Sequence, residues 1–320
     1  MNPALRVTDL RVSFFTRRGE VKAVDGISFE VGRGEVVGLA GESGCGKSTT
    51  AYAILRLVKP PGRIIGGSVY CDGAEVLDLD ERELRSFRWK KVSMIFQGAM
   101  NSLNPVHRIR DQIAEAVTVH EHVSRQEALA RAEEMLSLVG ISRPRTTDYP
   151  HQFSGGMRQR AVIAMALALS PTLLIADEPT TALDVVVERQ VLELLKDMKR
   201  RFDLSVLFIT HDLSTLAEFS NRIAIMYAGK LAETAGTKQL FSNPLHPYTS
   251  GLVRSLTGLT ERGGKLWSIP GSPPDLAAEI EGCKFRDRCP VATEACSKEA
   301  PELLEVEQEH YVACHSVTNG

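Results

Sequence analysis

Five short apolar runs punctuate the chain: EVVGLA (35–40), KVSMIF (91–96), LLIA (173–176), SVLFIT (205–210) and RIAIMY (222–227). None alternates apolar with polar. Uninterrupted runs of this length predict strands buried on both faces of a mostly parallel sheet. The first ends in a glycine-rich turn, and TTAYAILRLV (49–58) follows with helical periodicity, giving strand, loop and helix. Residues 108–140 lack such runs and are rich in Ala, Glu, Arg and Leu. Within them EALARAEEMLSLVG (127–140) predicts an amphipathic helix closed by Gly140, and about 98–165 is expected to form a helical insertion between strands. MYAGKLAET (226–234) predicts a hairpin turning at Ala228-Gly229, and the proline-rich SIPGSPPDL (268–276) a loop. No internal repeat or low-complexity tract interrupts this pattern.

Composition narrows the class. The 320 residues suffice for a sizeable core and two domains. Hydrophobic residues at 43% and charged residues at 24% are ordinary for a globular protein, and a net charge of −2 speaks against a nucleic-acid partner. The opening MNPALRVTDLRV places Arg6 and Arg11 where a secretory signal would need an apolar core. The longest apolar stretch, AVIAMALAL (161–169), is far short of the roughly 20 residues a membrane-spanning helix needs. A cytoplasmic location is expected, with attachment to a membrane only through partners.

Two stretches carry chemistry. GESGCGKST (41–49) fits G-x-x-x-x-G-K-[ST], with Gly41, Gly46, Lys47 and Ser48 at the defining positions. The loop residues Glu42, Ser43, Gly44, Cys45 and Thr49 complete a cradle whose backbone N–H groups curl around phosphate oxygens. A helix starting near Lys47 aims its positive end at the same charge. Lys47 is expected to reach the β- and γ-phosphates of ATP, and Ser48 to ligate Mg²⁺. LLIADEPT (173–180) sets Asp177 and Glu178 at the end of a buried strand, where ligands gather in α/β sheets. Asp177 suits Mg²⁺, and Glu178 suits general-base activation of water. The plain alternatives are a glycine-rich turn and an acid-decorated helix start.

FSGGMRQR (153–160), Gln97 after KVSMIF and His211 after SVLFIT add three further pieces. In this order, the set resembles the nucleotide-binding domain of an ATP-binding cassette (ABC) ATPase over about residues 4–235. The resemblance implies an α/β fold of the P-loop NTPase, RecA-like kind, with a helical subdomain and a small cysteine-containing C-terminal domain. The division expected is 1–235 and 236–320. It also implies residue roles. Ser154, Gly155 and Gly156 would form the signature that contacts the nucleotide across a dimer, with Phe153 where leucine is commoner. Gln97 would sense Mg²⁺ and the membrane partner, Asp184 would belong to the D-loop, and His211 would be the switch histidine. Phe14 would stack on adenine, with Phe15 as a substitute.

The tail sharpens the resemblance. NPLHPYTSGLVRSL (243–256), IPGSPPDL and the cysteine segment look like the C-terminal region of oligopeptide/dipeptide permease ATP-binding subunits. That implies an ATPase motor at the cytoplasmic side of the cell membrane. Its implied partners are a second cassette subunit of different sequence, two transmembrane permease subunits and an extracytoplasmic solute-binding protein. The competing reading is a soluble ABC ATPase acting on nucleic acid or a protein complex.

Cys283, Cys289, Cys296 and Cys314 cluster near the C-terminus, while the rest of the chain holds only Cys45 and Cys71. In a reducing cytoplasm such a cluster reads as metal-binding or catalytic before it reads as disulfides. The C-x5-C-x6-C-x17-C spacing matches neither zinc knuckles nor ferredoxin runs. Some members of the resembling subfamily carry a [4Fe–4S] cluster on such a motif, so the resemblance implies ligation by these four. Zinc, two disulfides and free buried thiols stay open, and His310 or His315 is available to replace a thiolate.

Overall fold

The computed structural model describes residues 2–260 and 268–318. Two long antiparallel strands come first, β1 (Leu5–Thr16) and β2 (Gly19–Val31). They are followed by β3 (Val36–Ala40), α1 (Lys47–Ile54), β4 (Gly62–Cys71) and β5 (Ala74–Glu75). Next, α2 (Glu81–Lys90) leads into β6 (Val92–Ile95). Helices α3 (Ile109–His120), α4 (Arg125–Leu138) and α5 (Gly155–Leu167) then fill the stretch before β7 (Leu173–Asp177). Alternation resumes with α6 (Val185–Phe202), β8 (Ser205–Ile209), α7 (Leu213–Phe219), β9 (Arg222–Tyr227), β10 (Lys230–Gly236) and α8 (Thr237–Ser242). The tail contributes α9 (Pro247–Thr260), α10 (Ala295–Lys298), β11 (Leu304–Glu307), β12 (His310–Val312) and α11 (His315–Thr318).

The main sheet runs β11-β12-β10-β9-β3-β8-β7-β6, and its strands from β9 to β6 are parallel. All five apolar runs of the sequence are these parallel strands. β3, β7 and β8 are buried at every position, which is why their sequences do not alternate. Their in-step register, Val36 beside Val206 and Leu173 beside Ser205, brings their carboxyl ends to one edge. There the sheet opens onto loops, the place where ligands collect in this architecture.

A second sheet, β2-β1-β4-β5, is antiparallel, and Leu5, Val12 and Ile27 from it share a core with Val37, Leu39, Ile175 and Leu207 of the main sheet. The sequence pattern does not announce it. Register shifts between Val7 and Leu10, and between Val12 and Ser13, break the period-2 alternation that would have marked β1. The expected helical insertion holds α3, α4 and α5. Ile109, Ile113 and Val117 recur every four residues along one face and are buried, as are Ala128, Ala132 and Leu136 on α4. Ser124 caps α4 in a reciprocal box with Glu127, and Gly140 turns the chain just past its end with φ 79°. Between β9 and β10, Ala228 and Gly229 take φ 47° and 86°, the left-handed pair that a tight hairpin turn demands.

The segment beyond 235 packs on the body of the fold. β12 pairs with β10, aligning Glu233 with Val312 and Thr234 with Tyr311. His310 Nε2 lies 2.6 Å from Glu233 Oε1, both side chains are fully buried, and the same carboxylate accepts the N–H groups of Leu245 and His246 at 2.9 Å. Three hydrogen bonds thereby meet the carboxylate, which offsets the cost of burying the charge. Phe285 packs edge-on against Tyr227, ring centroids 5.2 Å apart, inside the main core.

Candidate nucleotide site

The loop between β3 and α1 is shaped by crowding that only glycine tolerates at two places. Gly41 has φ 147°, and a Cβ there would stand 2.0 Å from the Met226 carbonyl oxygen; Gly46 has φ 110°, and a Cβ there would stand 2.3 Å from the Ala23 carbonyl oxygen. The backbone thus folds into a cup against the ends of β2 and β9. Lys47 lies inside it, its ammonium donating to the carbonyls of Gly41 at 2.7 Å and Glu42 at 3.0 Å. Ser48 Oγ donates to Asp177 Oδ1 across 3.1 Å.

Asp177 ends β7 and is fully buried, and its Oδ2 has no hydrogen-bond partner among the described residues. Burial raises its carboxyl above the ordinary value, and the neighbouring Glu178 adds to that, while the Ser48 hydrogen bond pulls the other way. A buried carboxylate oxygen with nothing to satisfy it, next to a hydroxyl, fits a hard divalent cation. Glu178 follows at φ 48° with its N–H bonded to the Ile209 carbonyl at 2.8 Å. His211 Nδ1 stands 2.9 Å from one carboxylate oxygen and Thr181 Oγ1 donates to the other at 2.7 Å. Burial pushes the Glu178 carboxyl up, but these two hydrogen bonds and the charges of His211 and Lys47 outweigh it and hold it below its usual value. Two adjacent carboxyls are therefore driven in opposite directions by their surroundings.

One cleft of about 400 Å³ is lined by Ser43, Gly44, Gly46, Lys47, Ser48, Thr49, Gln97, Glu178 and His211, together with Ala23. Nine positions singled out in the sequence thus meet there, from four separate stretches of chain. Ala23 was not anticipated, because it joins through the backbone of β2. The other candidates lie elsewhere. Phe14 is partly buried against the core beside the smaller sheet, and Phe15 is exposed with the Arg63 guanidinium 5.8 Å from its ring centroid. Cys45 is buried with its thiol 3.6 Å from the Lys47 ammonium; burial raises its pKa and the Lys47 charge opposes that. Glu42 turns its carboxylate away from the cleft, towards Arg288 of the tail.

The signature residues form a second locus. Ser154 caps α5 by accepting the Met157 N–H at 3.3 Å, and Gly155 and Gly156 begin the helix. A Cβ on Gly156 would come 2.6 Å from Val187 Cγ1, so this helix start rests on the first turn of α6. Asp184 caps that turn, accepting from the N–H groups of Val186 and Val187 at 3.1 and 3.0 Å. Ser154, Gly155, Gly156 and Asp184 do not line the cleft.

The structure does not assemble the expected [4Fe–4S] or zinc ligand set. Among the described residues, no group of three or more His, Cys, Asp or Glu side chains is arranged to hold a metal ion. Cys283, Cys289, Cys296 and Cys314 are free thiols near one another, and burial raises Cys283 to about 11 with the other three thiols adding to the shift. The Cys283 N–H bonds the Cys296 carbonyl at 2.7 Å, so a backbone contact ties two of the cysteine-bearing stretches together. Neither histidine replaces a thiolate: His310 is committed to Glu233, and His315 Nε2 lies 2.9 Å from the Glu299 carbonyl oxygen.

Residues 24–181 match the family model described as "ABC transporter", and residues 232–296 match "Oligopeptide/dipeptide transporter, C-terminal region". The chain is 49% identical over 314 residues to a probable peptide ABC transporter ATP-binding protein, y4tR, of Sinorhizobium fredii, covering 97% of this chain and 94% of that one. It is 46% identical to the oligopeptide transport ATP-binding protein OppD of Bacillus subtilis, over 96% of this chain and 87% of the relative. Among solved structures it resembles the dimeric bacterial ABC transporter cassette MJ0796, with a TM-score of 0.65 and 29% identity over 73% of this chain and 98% of that one.

Proposed function

We propose, from the premise that this chain belongs to the ABC transporter family of ATP-binding proteins and carries its oligopeptide/dipeptide C-terminal region, that it is the ATP-hydrolysing motor of a peptide importer. The observation that carries the reading is the meeting of Lys47, Ser48, Gln97, Glu178 and His211 around one cleft, with Asp177 beneath it. Lys47 and the N–H groups of the loop bind the phosphates. Ser48, Asp177 and Gln97 are the side chains that would hold Mg²⁺, which when bound neutralises charge between the phosphate groups. Glu178, held ionised, accepts a proton from the attacking water, and His211 fixes that carboxylate and faces the terminal phosphate.

A second cassette completes the site. Ser154, Gly155 and Gly156 at the start of α5 offer N–H groups and a positive helix end to the nucleotide of a partner subunit. Support comes from their lying outside this chain's own cleft, and from the dimeric form of the similar cassette MJ0796. ATP then favours the closed pair, and product release the open one, which is how the cycle drives a permease. Phe14 is the proposed adenine contact. No helix among the described residues is long and apolar enough to cross a membrane. The proposed partners are two permease subunits, a second ATPase chain and an extracytoplasmic solute-binding protein, with this chain on the cytoplasmic side, a set supported by the similarity to peptide transport ATP-binding proteins.

Purification of the full chain from its own membranes tests the reading. Integral-membrane subunits and a second ATP-binding chain should co-purify, and in vesicles the assembly should take up peptide only with Mg-ATP. A chain that copurifies with no membrane subunit and hydrolyses ATP at an unchanged rate beside peptide overturns it. The tail carries a finer proposal, a [4Fe–4S] cluster or zinc on the four cysteines, supported by four unpaired thiols on one small segment. Iron, sulfide and zinc content and the absorption spectrum of anaerobically purified protein decide it; absence of all three removes it.

A further inference from the structure

Glu42 occupies a free position of the phosphate loop, yet its side chain leaves the cleft and is gripped from outside. Its Oε2 accepts from Arg288 Nη1 at 2.7 Å and its Oε1 from Arg288 Nη2 at 2.9 Å, a two-pronged pair. Arg288 is only 7% exposed. Its Nε donates to the Pro270 carbonyl at 2.8 Å and Nη1 to the Tyr227 hydroxyl at 3.3 Å. The guanidinium also lies over the rings of Tyr227 and Phe285, 5.7 and 6.0 Å from their centroids. The Glu42 N–H donates to the hydroxyl of Tyr248 at 2.8 Å, and Tyr248 is fully buried on α9. On the loop's inner side, the Glu42 carbonyl accepts from Lys47. Residue 42 is thus held by two groups of the tail while it orients the phosphate-binding lysine.

We propose that Arg288 and Tyr248 are positioning residues for the phosphate loop, and that the cysteine tail is a built-in regulator whose packing sets the affinity for ATP. The inference rests on the reading of the cleft as an ATP site. The pair spans 246 residues of sequence, so it forms only when the tail is docked. Holding Glu42 in place keeps the loop open to phosphate without further ordering on binding, which is how preorganisation raises affinity. Cys289 directly follows Arg288 and Cys283 lies on the same turn, so any change at these thiols that shifts the turn reaches the loop through one guanidinium. Linkage makes the coupling reciprocal: nucleotide in the cleft must strengthen the docking of the turn that bears Cys289.

The test measures binding of a slowly hydrolysed ATP analogue to the full chain, the E42Q and R288M variants and their double variant, with ATPase kinetics of the assembled complex alongside. Each single change is expected to weaken binding roughly tenfold and to raise KM for ATP more than it lowers kcat. The double variant should be no weaker than the worse single one, because both remove the same pair. The analogue should slow amide hydrogen exchange across residues 283–289 in the wild type and not in E42Q. E42Q leaves the tail's own packing in place, so wild-type affinity in E42Q overturns the inference even where R288M unfolds the tail. Additive losses, or hydrogen exchange in that turn indifferent to the analogue, overturn it as well. A wild-type chain that fails to bind the analogue overturns the reading of the cleft instead.

Discussion

The Nδ1 atom of His211 stands 2.9 Å from the Oε1 atom of Glu178, joining the ends of two neighbouring parallel strands. The Glu178 N–H also bonds the Ile209 carbonyl at the end of β8, so backbone and side chain tie the same two loops together. A carboxylate held this way stays ionised while half of its hydrogen-bonding capacity is already occupied. Glu178→Gln keeps the shape and loses the base. ATP binding should survive in this variant, and steady-state hydrolysis by the assembled complex should fall by about 10²- to 10⁴-fold, the usual weight of a general base. A loss of less than about tenfold would move the base elsewhere. His211→Ala frees the carboxylate and should also depress kcat.

Gly46→Ala places a methyl 2.3 Å from the Ala23 carbonyl oxygen at φ 110°, a conformation unfavourable for any residue with a Cβ. The backbone must move, and strain of this kind costs about 1–3 kcal/mol. A lowered Tm together with lost nucleotide binding is expected. Calorimetry in the absence and presence of ATP reads both.

Asp177→Asn tests the buried oxygen that has no partner. Removing a buried charge relieves the folded chain, so the variant should melt at an equal or higher temperature without ligands. The same change should raise the Mg²⁺ concentration needed for half-maximal hydrolysis. A variant that is less stable yet has unchanged Mg²⁺ dependence would assign Asp177 to structure alone.

His246 lies under the tail with its Nδ1 accepting the Tyr248 N–H at 3.0 Å, and burial pushes its pKa down from 6.5 to about 4. The unfolded chain takes up a proton near pH 6.5, whereas the folded chain resists until about 4. Stability therefore falls as pH drops through this window, by at most about 3 kcal/mol from this group. Urea unfolding at pH 7 and pH 4.5 should show the loss, and His246→Asn should show a shallower decline across the same interval.

Much of the site was legible in the chain because its parts are local. The phosphate loop is one stretch of nine residues whose glycines act through their backbone and whose lysine acts from within the same stretch, and the strands beside it are apolar throughout because both faces are covered. What followed each strand, Gln97, Glu178 or His211, could be assigned to one edge once the sheet was read as parallel. The tertiary structure decided what depends on distant pairing. It decided that β1 and β2 form a second sheet, whose register shifts hide the alternation. It placed β12 beside β10, through a buried Glu233–His310 pair that sequence spacing does not reveal. It also decided that the Glu42 carboxylate pairs with Arg288 of the tail. An ion pair spanning the length of the fold leaves no periodic trace in either segment, because each partner is one polar residue in a loop until the core beneath brings them together.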